Sequence, residues 1–268
     1  MSTILAQFQR TRFAASSLAM ASGESRNGVL ASIAELIRVN SSEILRENQQ
    51  DLDQMAIDHP MRDRLLLTQD RLDALASSVL SVMQLPDPTG QVLSKKTLPN
   101  GLDLSKITVP LGVVGVIFES RPNVTIDVAA LCIRSGNAVV LRGGSDAFHT
   151  NTILVKLIHQ ALAQNGFSTD LVYLMPTDRA HVTTLLTAVR YIDVIIPRGS
   201  EALIQRVRKE SLVPTIETGA GVCHTYVAES AVISMAVDIV VNAKVSRPSV
   251  CNSLDTIVIH KSKATDFL

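Results

Sequence analysis

The fold is decided by the segment Ile107-Thr-Val-Pro-Leu-Gly-Val-Val-Gly-Val-Ile-Phe118. Its apolar and largely β-branched residues predict a strand. The polar loop Glu119-Ser-Arg-Pro-Asn123 follows, and a helix is predicted over residues 123–135, ending at Gly136-Asn137. A strand that passes through a short loop into a helix is the first part of a strand–helix–strand unit.

Strands and helices alternate along the rest of the chain. Extended segments are predicted over residues 138–141, 171–174, 192–196, 213–216 and 254–260. Helices are predicted over residues 1–90, 150–164, 201–210 and 231–244, the first range containing several of them, and one more between the extended segments 171–174 and 192–196. Alternation with short connections is typical of an α/β fold with a doubly wound, mostly parallel sheet that is covered by helices on both faces.

The composition excludes several classes of protein. The 268 residues include 25 basic and 25 acidic side chains, a balance that argues against nucleic acid as a partner. No apolar run approaches the ~20 residues that cross a bilayer, so no membrane segment is predicted. Three cysteines without paired spacing indicate a reducing compartment, and six histidines without metal-ligand spacing predict no metal site.

The first 23 residues have the composition of an organellar transit peptide, with two arginines, four serines and no acidic residue. We interpret them instead as a surface helix leading into the fold, because the pattern continues into the next helix without a change of character. A cytoplasmic location is therefore the prediction.

Cys251 is the residue expected to perform the chemistry. It lies in the polar loop Ser246-Arg-Pro-Ser-Val-Cys-Asn252, between a helical and an extended segment. Loops on a rigid scaffold present reactive groups to a cleft, so this thiol is well placed as a nucleophile and badly placed for core packing. The alternative is a buried structural cysteine, which is the commoner role of a single thiol.

The dinucleotide fingerprint G-x-G-x-x-G is absent from the sequence. Gly219-Ala-Gly221 comes closest, but an extended segment rather than a helix follows it, so nucleotide binding must use another arrangement. Each of four loops follows a strand or precedes a helix, where open α/β sheets place their ligands. These loops are residues 119–123, 141–145, 217–221 and the Cys251 loop.

Together these loops resemble the γ-glutamyl phosphate reductase family, a branch of the aldehyde dehydrogenase superfamily. The resemblance runs from Phe13 to the end of the chain, and its most specific motif is VNAKVSRPSVCN at residues 241–252. The other matching segments are residues 109–125, 135–144, 193–199 and 221–224. An aldehyde dehydrogenase-like fold is what the resemblance implies.

The resemblance implies NADPH-dependent reduction of L-glutamyl 5-phosphate to L-glutamate 5-semialdehyde, a step of proline biosynthesis. Cys251 would attack the acyl phosphate, expel phosphate and form a thioester. The Asn123 side-chain amide and the Cys251 backbone N–H would stabilise the carbonyl oxygen, although Asn123 could also be a helix N-cap. Glu217 stands at the general-base position of oxidative members. Since a reductase must exclude water, a supporting acid/base role and no role are both open.

The resemblance also places the cofactor. Arg142 matches a ribose-binding lysine of the superfamily, and Gly143-Gly144 would let the backbone approach the cofactor closely. Ser145 stands where NAD-preferring members have a glutamate, so an arginine without that carboxylate favours NADP. Gly199-Ser200 opens a helix that resembles the cofactor phosphate loop. The alternative for Arg142 is an exposed charge at a strand end.

Arg121 and Arg247 flank the predicted catalytic residues in sequence. Either arginine could bind the phosphate or α-carboxylate of the substrate, and the alternative for both is a surface salt bridge. The partners implied are this small substrate and phosphate. A homo-oligomer is expected of the full-length protein, and association with the glutamate kinase that makes the labile substrate is a further expectation.

The chain stops at Leu268, whereas the family usually continues for roughly a third of its length beyond that point. We therefore expect residues 1–240 to form the N-terminal helices and the NADP-binding domain. Residues 241–268 should begin an incomplete catalytic domain, with 254–260 as a single strand. Two alternatives stay open: an oxidative NAD-linked aldehyde dehydrogenase with a catalytic Glu217, and a truncated, non-catalytic nucleotide-binding fragment.

The other two cysteines are weaker candidates for catalysis. Cys132 lies in an apolar helix and is expected in the core. Cys223-His224 has the residue types of a catalytic dyad. Neighbours in an extended segment point to opposite faces, however, so these two side chains are not expected to share a proton.

Overall fold

The computed structural model describes residues 3–59, 61–119, 121–178, 180–217, 221–246, 248 and 250–268. These residues form two compact units, the first ending at Glu217 and the second comprising the described residues from Gly221 onwards. The division comes earlier than the boundary predicted at residues 240/241, which falls inside a helix of the second unit. The functional assignment of the two domains stays a prediction.

The helices of the first unit are α1 (Thr3–Ala19), α2 (Gly23–Val39), α3 (Ser41–Asp53), α4 (Arg62–Leu65), α5 (Gln69–Gln84), α6 (Pro122–Arg134), α7 (Phe148–Gln164), α8 (Ala180–Leu186) and α9 (Glu201–Glu210). Its strands are β1 (Val92–Thr97), β2 (Asp103–Ile107), β3 (Val113–Phe118), β4 (Ala138–Arg142), β5 (Val172–Leu174) and β6 (Val194–Arg198). The second unit contains β7 (Cys223–Val227), α10 (Ile233–Val245), β8 (Leu254–Ile259) and α11 (Ala264–Phe267).

The first unit is built on a four-stranded parallel sheet with the order β5-β4-β3-β6. The chain runs outward from β3 to β4 and β5, and then returns to place β6 on the other side of β3. Because crossovers are right-handed, these opposite directions place α6 and α7 on one face and α8 on the other. The predicted doubly wound α/β fold is confirmed.

The strand predicted over 107–118 is divided in the structure. Ile107 ends β2, whereas β3 begins at Val113 and is buried along its whole length. Pro110 lies in the break, and a proline cannot donate a ladder hydrogen bond. The buried part of the segment is therefore shorter than the apolar run that predicts it.

The antiparallel hairpin of β1 and β2 was not predicted. All of its strand residues are exposed, so no buried face imposes the alternation from which strands are recognised. The dipeptide Asn100-Gly101 lies in the turn between the two strands. This pair is the strongest short-range hairpin signal and could have revealed the hairpin.

The helix predicted at the start of the chain is present as α1. It packs into the core rather than lying on the surface, since Phe8 and Leu18 are fully buried. The Phe8 ring meets the Tyr173 ring of β5 edge to face, with the centroids 6.1 Å apart. Residues 3–19 therefore belong to the first unit's core.

The second unit is a small parallel β–α–β element. β7 pairs with β8, and α10 packs against β8. The prediction that the strand at residues 254–260 has no partner is therefore wrong, because β7, in which only Val227 is buried, pairs with it. Few side chains are buried in this unit, whereas large apolar side chains such as Tyr226, Met235 and Val258 stay exposed.

Candidate functional site

The predicted cofactor loops lie side by side at the carboxyl edge of the first unit's sheet. In the parallel register Ile117 of β3 pairs with Arg142 of β4, and Phe118 pairs with Arg198 of β6. The loops that follow these three strands therefore begin at one level. The direction of winding reverses at β3, and open α/β sheets bind ligands at such a switch point.

Glu119 bridges this switch point. Its Oε2 accepts a hydrogen bond of 2.8 Å from the Ser200 backbone N–H, and its Oε1 lies 3.3 Å from the Ser200 hydroxyl, which donates. Ser200 is the N-cap of α9, and its hydroxyl also accepts from the Leu203 N–H at 3.4 Å. The Gly199-Ser200 loop thus already holds a carboxylate at a helix N-terminus, where backbone donors and the helix dipole favour negative charge.

Arg142 ends β4 and is half-buried. Its Nη1 donates to the Gly143 carbonyl at 3.1 Å and its Nη2 donates to the Thr177 carbonyl at 2.7 Å. The alternative of an exposed strand-end charge is therefore wrong. The guanidinium ties the end of β4 to the segment that follows β5.

Gly143 is required by the packing of the protein itself. A β-carbon at this position would lie 2.4 Å from Nδ2 of Asn151 in α7. The Oδ1 of Asn151 accepts a hydrogen bond of 2.8 Å from the Thr125 hydroxyl, which joins α6 to α7 beneath the loop. Gly144 is half-buried, and the exposed Ser145 begins the short 3₁₀ turn that leads into α7.

The N-terminus of α7 is capped by a residue from α3. The N-cap residue Ala147 has no capping side chain. Asp51 replaces it by accepting from the His149 N–H at 3.0 Å, the Thr150 N–H at 2.8 Å and the Thr150 hydroxyl at 2.6 Å. Nothing local in the sequence marks this contact, because Asp51 and His149 are 98 residues apart. A second helix N-terminus at this edge is thus occupied by a protein carboxylate.

Asn123 lies inside α6, whose N-cap residue is Arg121, so the N-cap alternative for Asn123 is wrong. Its Nδ2 donates to Oδ2 of Asp127 at 3.0 Å, and the Ser78 hydroxyl of α5 donates to Oδ1 of Asp127 at 3.3 Å. Burial raises the pKa of Asp127, and the two hydrogen bonds only partly oppose that rise. Asp127 therefore orients the Asn123 amide. This contact was not predicted, although its i,i+4 spacing on a helix marks it.

Glu217 follows residues 213–216, which were predicted to be extended and in which the structure has an isolated parallel bridge at Thr215 rather than a strand. Ile195 of β6 bonds to this segment on both sides, donating to the Pro214 carbonyl at 2.8 Å and accepting from the Ile216 N–H at 3.0 Å. Oε1 of Glu217 lies 3.3 Å from Nε of Arg208. Its Oε2 is buried and has no hydrogen-bond partner within the part of the chain that the structure describes.

Cys251 is exposed and lies in the turn before β8, as a loop thiol should. A β-carbon on Gly221 would lie 2.5 Å from the Cys251 carbonyl oxygen, so only glycine allows this approach of the two backbones. The same oxygen accepts from Cys223 Sγ at 3.6 Å. The His224 ring instead contacts the Val222 carbonyl, with Nδ1 at 2.9 Å. Cys223 and His224 thus each contact a different backbone carbonyl.

The predicted catalytic residues are divided between the units. Asn123 and Glu217 belong to the first unit, and Cys251 belongs to the second. Arg121 is half-buried at the start of α6. Arg247, the other predicted substrate ligand, lies outside the described residues.

Cys132 is buried in α6, which confirms the prediction that it belongs to the core, and burial raises the pKa of its thiol to about 12. Within the described ranges, no helix is long and apolar enough to cross a bilayer. Over the same residues, no group of three or more His, Cys, Asp or Glu side chains could hold a metal ion.

Comparison with known proteins decides the family. The pattern described as "Aldehyde dehydrogenase family" matches residues 3–268. The chain belongs to the aldehyde dehydrogenase family. The gamma-glutamyl phosphate reductase of Chlorobium phaeobacteroides is 52% identical to it over 264 residues, which cover 98% of this chain and 63% of that relative.

Solved structures of two proteins with the same name have the same fold. The crystal structure of gamma-glutamyl phosphate reductase from Thermotoga maritima superimposes with a TM-score of 0.90 at 35% identity, covering 98% of this chain and 65% of that one. The structure from Saccharomyces cerevisiae gives a TM-score of 0.75 at 32% identity, with coverages of 97% and 66%. The aldehyde dehydrogenase-like fold is thus confirmed, and the chain spans less than two thirds of the length of these relatives.

Proposed function

We propose that this chain contains the cofactor-binding unit and the nucleophile of a γ-glutamyl phosphate reductase. The reaction reduces L-glutamyl 5-phosphate to L-glutamate 5-semialdehyde with release of phosphate, in proline biosynthesis. The exposed Cys251 thiol before β8 supports the proposal most directly. An exposed loop thiol can act as a nucleophile. A relative named gamma-glutamyl phosphate reductase aligns with 98% of the chain, which gives the class of reaction.

The reaction divides at a thioester. The Cys251 thiolate attacks the carbonyl carbon of the acyl phosphate, an S–C bond forms, and the C–O bond to phosphate breaks with its electron pair leaving on phosphate. The chemistry that NADPH would supply when bound is the hydride that reduces the thioester carbonyl. Cys251 then leaves as a thiolate when its C–S bond breaks, and the semialdehyde is released. Two easier displacements replace one difficult step.

The charge that develops on the carbonyl oxygen needs fixed donors. We assign this role to the Asn123 amide and the Cys251 backbone N–H from the family resemblance. The hydrogen bond of 3.0 Å to Asp127 supports the first assignment, because it fixes the orientation of the Asn123 amide before substrate binds. Loss of one such donor costs about 10²–10³ in rate, so Asn123→Ala should fall in that range.

The carboxyl edge of the first unit suits a nicotinamide dinucleotide. The Ser200 backbone N–H at the start of α9 can bind a cofactor phosphate once the Glu119 carboxylate, now 2.8 Å away, moves aside. Arg142 at the end of β4 suits a ribose 2′-phosphate, and Ser145 supplies no carboxylate against it. We therefore propose NADP as the cofactor, with Gly143, Gly144 and Gly199 providing backbone contacts.

The test is the reverse assay on the chain as it exists. Glutamate 5-semialdehyde and NADP should produce NADPH only when phosphate is added, because phosphate must attack the thioester. Turnover without phosphate would support the oxidative alternative. NADPH binding without turnover would support the alternative of a non-catalytic nucleotide-binding fragment.

Three variants test the residue assignments. Cys251→Ser should abolish the phosphate-dependent rate and leave NADPH binding intact, whereas Cys132→Ala, which alters a buried thiol, should retain the rate.

Glu217→Gln distinguishes the two predictions for that carboxyl, a supporting acid/base role and no role. A rate within about twofold of wild type would remove the acid/base role, since general acid–base catalysis contributes about 10²–10⁴.

The remaining assignments complete the proposal. We propose Arg121 and Arg247 as ligands of the phosphate or α-carboxylate of the substrate, since a guanidinium binds such groups in bidentate fashion. The full-length protein is expected to be a homo-oligomer in the cytoplasm. Association with the glutamate kinase would shorten the path of the labile acyl phosphate, and pull-down with that kinase in the presence of its substrates tests it.

A further inference from the structure

Two of the three cysteines meet in the second unit. Cys223, the first residue of β7, donates from Sγ to the backbone oxygen of Cys251 at 3.6 Å. A β-carbon on Gly221 would lie 3.8 Å from the β-carbon of Cys251. The β-carbon of Cys251 is therefore on the side of its loop that faces the chain leading into β7.

The backbone is irregular on both sides of this contact. The register of the β7–β8 ladder shifts between Cys223 and His224. Cys251 and Asn252 form a turn before β8 begins at Leu254. A disulfide requires sulfur atoms about 2.05 Å apart and β-carbons about 3.5–4.5 Å apart. The shifted register and the turn before β8 are the irregular backbone next to the two thiols, and the regular pairing of β7 with β8 begins beyond them, at His224 and Thr256.

The accessibility of the thiols separates this pair from the third cysteine. Cys251 is exposed and Cys223 is partly exposed, whereas Cys132 is buried. Burial raises the pKa of Cys132 to about 12, which leaves it almost entirely as the unreactive thiol. Oxidation follows exposure and thiolate character, so an oxidant in solution should reach the pair and spare Cys132.

We propose that Cys223 and Cys251 form a reversible intramolecular disulfide, with a small peroxide as the oxidant and a dithiol as the reductant. The Cys251 thiolate attacks one peroxide oxygen, the S–O bond forms and the O–O bond breaks, and the released hydroxide takes up a proton as water. Cys223 sulfur then attacks the sulfenic sulfur of Cys251. The S–S bond forms, the S–O bond breaks, and the oxygen leaves as a second water with the Cys223 proton.

The disulfide would protect the exposed thiol. A sulfenic acid without a nearby thiol proceeds to sulfinic and sulfonic acids, which are irreversible, whereas a disulfide is restored by a dithiol. The chemistry needs only the two thiols. It therefore holds or fails independently of the reaction proposed for Cys251.

The test is mass spectrometry of the intact 268-residue chain after treatment with hydrogen peroxide. We expect a mass lower by two hydrogens, one thiol that can still be alkylated after denaturation, and recovery of all three thiols with dithiothreitol. Peptide mapping should join the segments that contain Cys223 and Cys251. Cys132→Ser is the matched control and should form the same cross-link.

The variant Cys223→Ser removes the second sulfur with little change in size. Its Cys251 should gain oxygen under the same treatment and should not be restored by dithiothreitol. If Cys223 of the wild type remains alkylatable while Cys251 gains oxygen, or if the disulfide joins two chains, the proposal is overturned. Mapping of the wild-type chain alone decides the question should the variant fail to fold.

Discussion

Replacing Asp51 by alanine should lower the free energy of unfolding of the first unit by about 3–4 kcal/mol. Asp51 is 3% exposed and accepts hydrogen bonds of 3.0, 2.8 and 2.6 Å from His149 and Thr150 at the start of α7. A lost helix cap costs about 0.5–2 kcal/mol, and each buried donor left unsatisfied costs about 1–3 kcal/mol. Water entering the vacated space will satisfy some of the donors, so the loss should stay below the sum of these values.

Urea unfolding followed by far-ultraviolet circular dichroism measures this loss, because most of the described helices belong to the first unit. Asp53→Ala is the matched control. It removes an exposed carboxylate of the same helix that accepts from Gln49, and it should cost less than about 0.5 kcal/mol. Asp51→Asn keeps one acceptor oxygen and should fall between the two. A loss below about 1 kcal/mol for Asp51→Ala, or an equal loss for the two alanine variants, would refute the capping role.

Three further predictions follow from single contacts. Glu119→Gln should tighten NADPH binding about 2–5-fold by removing a competing carboxylate from the start of α9. Glu201→Gln in the first turn of α9 is the control, and an equal gain in affinity from it would indicate a general charge effect. Burial raises the pKa of Asp127 because it disfavours the charged carboxylate. The neutral carboxyl therefore stabilises the fold fully below the unfolded pKa near ~3.9, and this stabilisation is lost as pH rises through the folded pKa. Asp127→Asn should therefore gain stability relative to wild type between about pH 4 and neutrality, and a pH-independent difference in urea midpoints would contradict this. Gly221→Ala would place a β-carbon 2.5 Å from the Cys251 carbonyl oxygen and should accelerate hydrogen exchange at the start of β8 about 10–100-fold, whereas unchanged exchange would show that the turn adapts freely.

The sequence pattern predicts the helices and strands of this fold correctly where the apolar residues that form the pattern are buried. The helix predicted over 201–210 is α9 with the same bounds, and the buried strand at 138–141 is β4 within one residue. Cys132 lies in the core because its helix is apolar around it. In each case the side chains that define the pattern are the ones that pack, so sequence and structure contain the same information.

Exposed elements escaped prediction for the converse reason. The hairpin of β1 and β2 buries no residue, so its strands have no apolar face to recognise. The segment after Gly221 was predicted to be extended and is β7, but its pairing with β8 was not predicted, because only Val227 of its five residues is buried. Polar contacts between elements that are distant in sequence were not predicted for a different reason. Their partners are set by the fold, as with Asp51 and α7, and no spacing along the chain marks them.

At the candidate site, anion binding by a helix N-terminus depends on contacts from distant parts of the chain as well as on the local sequence. A helix that begins after a parallel strand has free backbone donors, and the sequence alone predicts an anion there. At the carboxyl edge of this sheet, Asp51 occupies the start of α7 and Glu119 the start of α9. The two cases differ in burial, since Asp51 is 3% exposed whereas Ser200, which Glu119 contacts, lies at the surface. A buried carboxylate with three bonds is a permanent part of the fold. The half-buried Glu119 is held by two bonds to the exposed Ser200 and can yield to a dinucleotide phosphate, so the cofactor is expected at α9 and not at α7.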